Sequence, residues 1–252
     1  MSGSDGVTNS HDVLLLLVPV VIFAAYLVFG ITGFGASPIT IPVLVHFLPL
    51  AFVLSLAALL DLGSALALAV RTRRQADSRE LLMLVPFTLL GLALGVTLLI
   101  RLPRDKTLLA LGLFVCAYAV NLMLRRESRR QLSRFWAAPA GIVGGLVGAL
   151  FGMGGPPYVM YLAGRIAEPD AQRATISQMV ILNVGFRVLA FAVAGLLVSA
   201  TLWLAVAGLL PVAWAGVWVG HRAQLRLAPA TTARIIAAAL FAAGASLLVR
   251  AL

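Results

Sequence analysis

Long apolar runs, separated by charged or helix-breaking residues, fill almost the whole chain. They lie at 13–29, 36–48, 51–70, 81–100 and 106–124, then at 136–150, 156–165, 172–194, 200–219 and 230–249. Six of the ten approach the ~20 residues a helix needs to cross the hydrocarbon core of a bilayer. The other four are shorter and flank two interruptions, GITGFGASP at 30–38 and ALFGMGGPP at 149–157. Each flanking pair therefore predicts a re-entrant or broken-helix hairpin, over 13–48 and over 136–165.

The order of segments repeats. GFG at 33–35 aligns with GMG at 152–154, an offset of 119 that also sets Pro38 on Pro157. Further on, Pro86, Gly91 and Gly95 match Pro211, Gly216 and Gly220 at an offset of 125, and Arg101 falls on Arg226. A hairpin plus three crossings is an odd number of crossings, so the second copy should be inverted relative to the first. Paired discontinuous helices in inverted repeats are the architecture of secondary transporters. The predicted fold class is an all-α polytopic membrane protein built from two such repeats. The first repeat spans 13–124 (hairpin 13–48, helices 51–70, 81–100, 106–124). The second spans 136–252 (hairpin 136–165, helices 172–194, 200–219, 230–249).

Composition agrees with a membrane protein: 62% of the 252 residues are hydrophobic and 11% are charged, against ~25% charged in soluble domains. The formal net charge of +10 would suit nucleic acid, but the basic residues sit in short segments between apolar runs and do not interleave with exposed aromatics. They orient the chain instead. If each broken segment returns to its own side, Arg71, Arg73, Arg74, Arg79, Arg125, Arg126, Arg129, Arg130, Arg134, Arg165, Arg173, Arg222, Arg226 and Arg234 share one side. Arg101, Arg104, Lys106 and Arg250 face the other. Such a bias marks the first side as cytoplasmic, making 125–135 a cytoplasmic arginine-rich linker and 1–12 a polar extracytoplasmic N-terminus. Both termini are then expected outside, in a multi-pass protein of the inner membrane. The opening MSGSDGVTNSHD has no basic stretch or cleavage pattern, so the first segment is expected to be retained. The lone Cys116 excludes an intrachain disulfide.

The interruptions carry the candidate chemistry. Unwound chain at membrane depth persists only where it is buried in protein or lines a hydrated cavity. Glycines there let a ligand approach the main chain, and proline fits the first turn of the helix that follows. Pro38 and Pro156–Pro157 thus mark helix N-termini, whose free N–H groups and dipole suit an anion. The candidate substrate-binding residues are Gly33, Phe34, Gly35, Ala36 and Ser37 at the first break, and Gly152, Met153, Gly154, Gly155 and Pro156 at the second. Asn183 and Arg187 join them. The GxxxG pairs Gly91/Gly95, Gly141/Gly145 and Gly216/Gly220 read instead as helix-packing contacts.

Only two ionisable residues lie near the centre of a span, Asp61 and Arg187, at matching depths in the two halves. Two readings stay open for them. Either they form a buried ion pair that fixes helix register, or Arg187 binds an anion while Asp61 carries a coupling proton. Tyr158 and Tyr161 either close the second hairpin over a ligand or sit at the membrane interface.

The two motifs, in order, with RATIS at 173–177 followed by Asn183, resemble the TauE/SafE family of sulfite and organosulfonate exporters along the whole chain. The resemblance implies a transporter that moves small sulfur-containing anions, such as sulfite or sulfoacetate, outward across a bacterial inner membrane. Asp61 departs from it, standing where a neutral polar residue is expected. Proton-coupled uptake of another oxyanion or a carboxylate is the alternative. An intramembrane enzyme fits poorly: a single span aspartate, no histidine near a span centre and no H-E-x-x-H leave no catalytic or metal-binding set. No Walker motif points to a nucleotide and no cofactor is expected. The expected partners are a small anion and the lipid bilayer, not nucleic acid, with a homodimer left open.

Overall fold

The computed structural model describes residues 5–32, 35–69, 76–124 and 132–223, and, beyond these, 237, 241 and 244–249. The described residues form helices and turns with no strand. In chain order, α1 covers Asp5–Thr32, α2 Ser37–Leu44, α3 Leu50–Ala69, α4 Ser78–Arg101 and α5 Arg104–Leu124. A 3-10 turn at Arg134–Trp136 leads into α6, Ala137–Phe151, followed by α7 Gly155–Ala163, α8 Pro169–Val193 and α9 Ala200–Ala223. Among the described residues, Ser78–Arg101, Arg134–Phe151, Pro169–Val193 and Ala200–Arg222 are long and apolar enough to cross a membrane. Leu16–Ile31 and Leu50–Leu66 are shorter apolar stretches. The protein is an all-α, polytopic membrane protein.

The helix starts follow local chemistry. Asp77, in an extended conformation, caps α4 by accepting from the backbone N–H of Arg79 at 2.9 Å and of Glu80 at 3.3 Å. Glu168 caps α8 in the same way ahead of Pro169, so two of the donors a helix start leaves free are satisfied. The first helix differs from its apolar pattern. It begins at Asp5, so residues 5–12 continue the helix rather than forming a separate polar terminus. Apolarity reports what a membrane would cover, not where backbone hydrogen bonding stops. The arginine-rich linker at 125–131 and most of the predicted helix at 230–249 lie outside the described residues.

The most extensive contacts join α4 to α6 and α1 to α9. Both seams are built on glycine. A Cβ at Gly95 would stand 2.7 Å from the Ala149 Cβ and 2.8 Å from the Leu146 carbonyl oxygen. On the other seam, a Cβ at Gly216 would stand 2.7 Å from the Phe23 carbonyl oxygen, and Gly220 lies against Leu27 and Gly30. Gly141 and Gly145 meet α4 from the opposite side, at Leu84–Thr88 and Thr88–Leu92. Small residues here let backbones touch, as membrane helices require when water supplies no driving force between them. The contacts come in matched sets: α1 with α9 and α6 with α4, α1 with α2 and α6 with α7, α2 with α3 and α7 with α8, α3 with α9 and α8 with α4. The α3–α8 contact maps onto itself.

At the centre is α3, whose residues 53–61 are buried on every face. A helix apolar all round belongs inside a bundle, and this one carries Asp61 in with it.

The α6–α7 pair starts and finishes at one place. Leu132 N–H donates to the Gly164 carbonyl at 2.8 Å, and Arg165 Nη1 donates to the Leu132 carbonyl at 3.1 Å. Arg165 also donates to Glu80 Oε1 through Nε at 3.1 Å and Nη2 at 2.8 Å, while the Tyr161 hydroxyl donates to Oε2 at 2.6 Å. Glu80 is 4% exposed, and these donors satisfy a charge that burial would otherwise make costly.

Candidate functional site

Both interruptions are real breaks in helix. In the first, Gly35 has φ +91°, and Ala36 caps α2 through its carbonyl, which accepts from Ile39 N–H at 3.1 Å and Thr40 N–H at 3.0 Å. In the second, Gly152 ends α6 in the left-handed region at φ +68°, its N–H donating to the Gly148 carbonyl at 3.0 Å. Gly154 then caps α7. Side chains with a Cβ avoid positive φ, which is why glycine recurs at these two corners. Proline sits within the first turn of both helices, as Pro38 and as Pro156, where its missing N–H costs nothing.

The breaks are not identical copies. Ser37–Pro38 opens α2 and Gly155–Pro156 opens α7, so the helix starts correspond at an offset of 118, one less than the motif alignment. Gly35 at φ +91° also differs from its aligned partner Gly154, at φ −66°.

The two starts open onto one cavity of about 40 Å³, more than a single water needs. Gly35 and Pro38 contribute from the first break, and Gly152, Met153, Gly154, Gly155 and Pro156 from the second. Asp61 and Ala65 of α3 form part of the wall, with Val180, Asn183 and Val184 of α8. Phe29 of α1 and Tyr118 of α5 complete it.

Asp61 is the best-connected group at the site. It is 6% exposed. Its Oδ1 accepts from the Tyr26 hydroxyl at 2.8 Å, and its Oδ2 accepts from the Ser37 hydroxyl and from Arg187 Nη2 at 3.0 Å. Arg187 is 1% exposed, also donates through Nη1 to the Gly148 carbonyl at 3.3 Å, and keeps its Nε without a partner. Asn183 donates to the Tyr158 hydroxyl at 2.9 Å.

Gly144 and Gly148 of α6, with Gly152 at its C-cap, make room for this polar set. A Cβ at Gly144 would meet the Tyr158 ring, one at Gly148 would come within 2.8 Å of Asn183 Oδ1, and one at Gly152 within 2.9 Å of Arg187 Nη1. This stripe faces side chains of the site, whereas Gly141 and Gly145 face a helix backbone.

Of the residues singled out in the sequence, Gly35, Gly152, Met153, Gly154, Gly155, Pro156, Asn183 and Asp61 meet at the cavity. Ala36, Ser37 and Arg187 are buried beside it without lining it, the last two bonded to Asp61. Gly33 and Phe34 lie outside the described residues. Tyr158 and Tyr161 are fully buried and bonded to Asn183 and Glu80, and neither lines the cavity. Both hydroxyls are drawn inward by polar partners on α8 and α4. Sequence reasoning missed Tyr26, Phe29, Ala65, Tyr118, Val180 and Val184. Among the described residues no cluster of His, Cys, Asp or Glu is placed to hold a metal ion.

Comparison with known proteins gives a consistent result. The family model described as "Sulfite exporter TauE/SafE" matches residues 18–247. The "Probable inner membrane transporter protein TsaS" of Comamonas testosteroni is 27% identical over 198 residues, which cover 76% of this chain and 81% of that protein. No solved structure matches. A family match over nearly the whole chain, in a helical protein whose two helix breaks meet at one cavity, places this protein in the TauE/SafE family of membrane transporters.

Proposed function

We propose that this protein is a secondary transporter that exports a small sulfur-containing anion, sulfite or an organosulfonate, bound in the cavity between the starts of α2 and α7. The observation that carries this reading is the convergence of two helix N-termini on one cavity. Each start presents the partial positive charge of its helix dipole, and two together would form an anion cage that needs no exposed cation. The family and the relative's name support the transport of a small anion across the inner membrane. The matched helix contacts support an architecture of two inverted repeats. Export is downhill for an anion where the inside is negative: one charge across 100 mV contributes about 2.3 kcal/mol.

The test is a thermal-shift screen of purified protein against sulfite, sulfoacetate, taurine and simple carboxylates. A ligand that binds only the folded state raises the midpoint with concentration. At least one of the sulfur oxyanions should do so. Stabilisation by carboxylates alone, or by none of the set, sinks the reading.

One observation favours a second reading, proton-coupled uptake: a carboxylate, Asp61, forms part of the cavity wall. In proteoliposomes, flux through Asp61→Asn that keeps the pH dependence of the parent protein removes Asp61 as the proton carrier.

A further inference from the structure

We infer that Asp61 is a charge filter: it holds the cavity near electrical balance, so that the site accepts singly charged oxyanions and rejects doubly charged ones of the same shape. This rests on the reading of the cavity as an anion site, and it narrows the substrate class within that reading.

The argument begins with a carboxylate in an unexpected place. Asp61 is the one charged side chain among the described residues that line the cavity. For an anion site that is the wrong sign, unless the charge is balanced. Arg187 balances it, at 3.0 Å and 1% exposed, yet does not itself line the cavity. The pair therefore sums to zero, with its negative member in the cavity wall. What remains to attract an anion is the pair of helix starts, at roughly half a positive charge each. Together they offer about one positive charge, which matches one negative charge on the ligand. A second negative charge has no counterpart and meets the Asp61 carboxylate at close range.

The carboxylate is also held in place. Tyr26, Ser37 and Arg187 all donate to it from three different helices, so both oxygens act as acceptors. It has no freedom to turn away from an approaching dianion.

The test compares three tetrahedral probes by titration calorimetry on the purified full chain. Methanesulfonate carries one charge and a methyl group. Fully ionised methylphosphonate carries two charges and the same methyl group. Sulfate carries two charges and no methyl group. The parent protein should bind methanesulfonate at least about tenfold more tightly than either dianion, since like charges at contact repel strongly even at an effective dielectric constant of about 20. In Asp61→Asn the gap should close by about tenfold or more, while Asp61→Glu should keep it. A parent protein that binds either dianion as well as methanesulfonate overturns the filter, and so does an Asp61→Asn protein with an unchanged gap. Both results leave the anion-site reading standing. No binding of any probe, to parent or variant, removes that reading and the filter with it. If Asp61→Asn does not fold, the comparison on the parent protein still decides, because methylphosphonate separates the effect of charge from that of the methyl group.

Discussion

At the scale of single residues, the Asp61–Arg187 pair holds α3, α8 and α2 in register. Removing one member of a buried pair leaves the other uncompensated and costs roughly 3–5 kcal/mol, whereas replacing both with apolar residues of similar size is often neutral. Arg187→Gln should therefore lower the thermal midpoint of the detergent-solubilised protein sharply. Asp61→Leu combined with Arg187→Met should restore most of it while losing the discrimination between singly and doubly charged anions. If Arg187→Gln unfolds at the parent temperature, the pair is not a structural tie. Both members were visible in the sequence, because a charge in the middle of an apolar run stands out. Their pairing was one of two open readings, since offset arithmetic gives depth in the membrane but not which way a helix is turned. Phe29, Ala65, Val180 and Val184 could not be seen as cavity lining: in a chain that is 62% hydrophobic, an apolar wall has no contrast. Tyr26 was equally hidden, since an aromatic residue in an apolar run is unremarkable until a buried acceptor is found for its hydroxyl.

At the scale of helices, glycine decides which surfaces touch. Gly220→Val should force α1 away from α9, because even a Cβ there would sit 3.0 Å from the Gly30 Cα and closer still to the Leu27 carbonyl. A large drop in thermal midpoint is expected. Gly208 is the control: a Cβ meets nothing within 4 Å, so Gly208→Ala should leave stability unchanged or raise it by up to about 1 kcal/mol through helix propensity. Equal losses from the two changes would show that the seam does not depend on close backbone contact. The packing role of Gly91/Gly95 and Gly216/Gly220 was readable from spacing alone. The different role of Gly144, Gly148 and Gly152 was not, because the same spacing serves a helix backbone or a row of polar side chains. At the far end of the hairpin, Glu80→Gln should weaken the tie to Arg165 and Tyr161. Hydrogen bonds to a charged group contribute about 1.5–3 kcal/mol, so a modest fall in midpoint is expected, with anion affinity unchanged.

At the scale of the whole molecule, Glu80, Leu132, Arg134, Gly164 and Arg165 gather at one end of the bundle, as expected if 136–165 returns to its own side. We propose from the positive-inside bias that this end is cytoplasmic. In a variant lacking Cys116, Ser78→Cys should react with a membrane-impermeant thiol reagent only from the cytoplasmic side, and Pro103→Cys only from outside. Labelling with the reverse sidedness would invert the orientation. The proposed duplication rests on motif order and offsets, which breaks and prolines leave as marks in the sequence. The one-residue shift between the two helix starts was not legible there, since it depends on backbone angles at Gly35 and Gly154.

The two glycine seams carry a mechanical implication. Each welds a helix of one half to a helix of the other, α1 to α9 and α4 to α6, at distances that leave no room for sliding. Any rocking that exposes the cavity first to one face of the membrane and then to the other must keep those welded couples whole. The hinge lines would therefore cut across the two halves of the sequence instead of running between them, with the crossing of α3 and α8, where Asp61 meets Arg187, as the natural pivot.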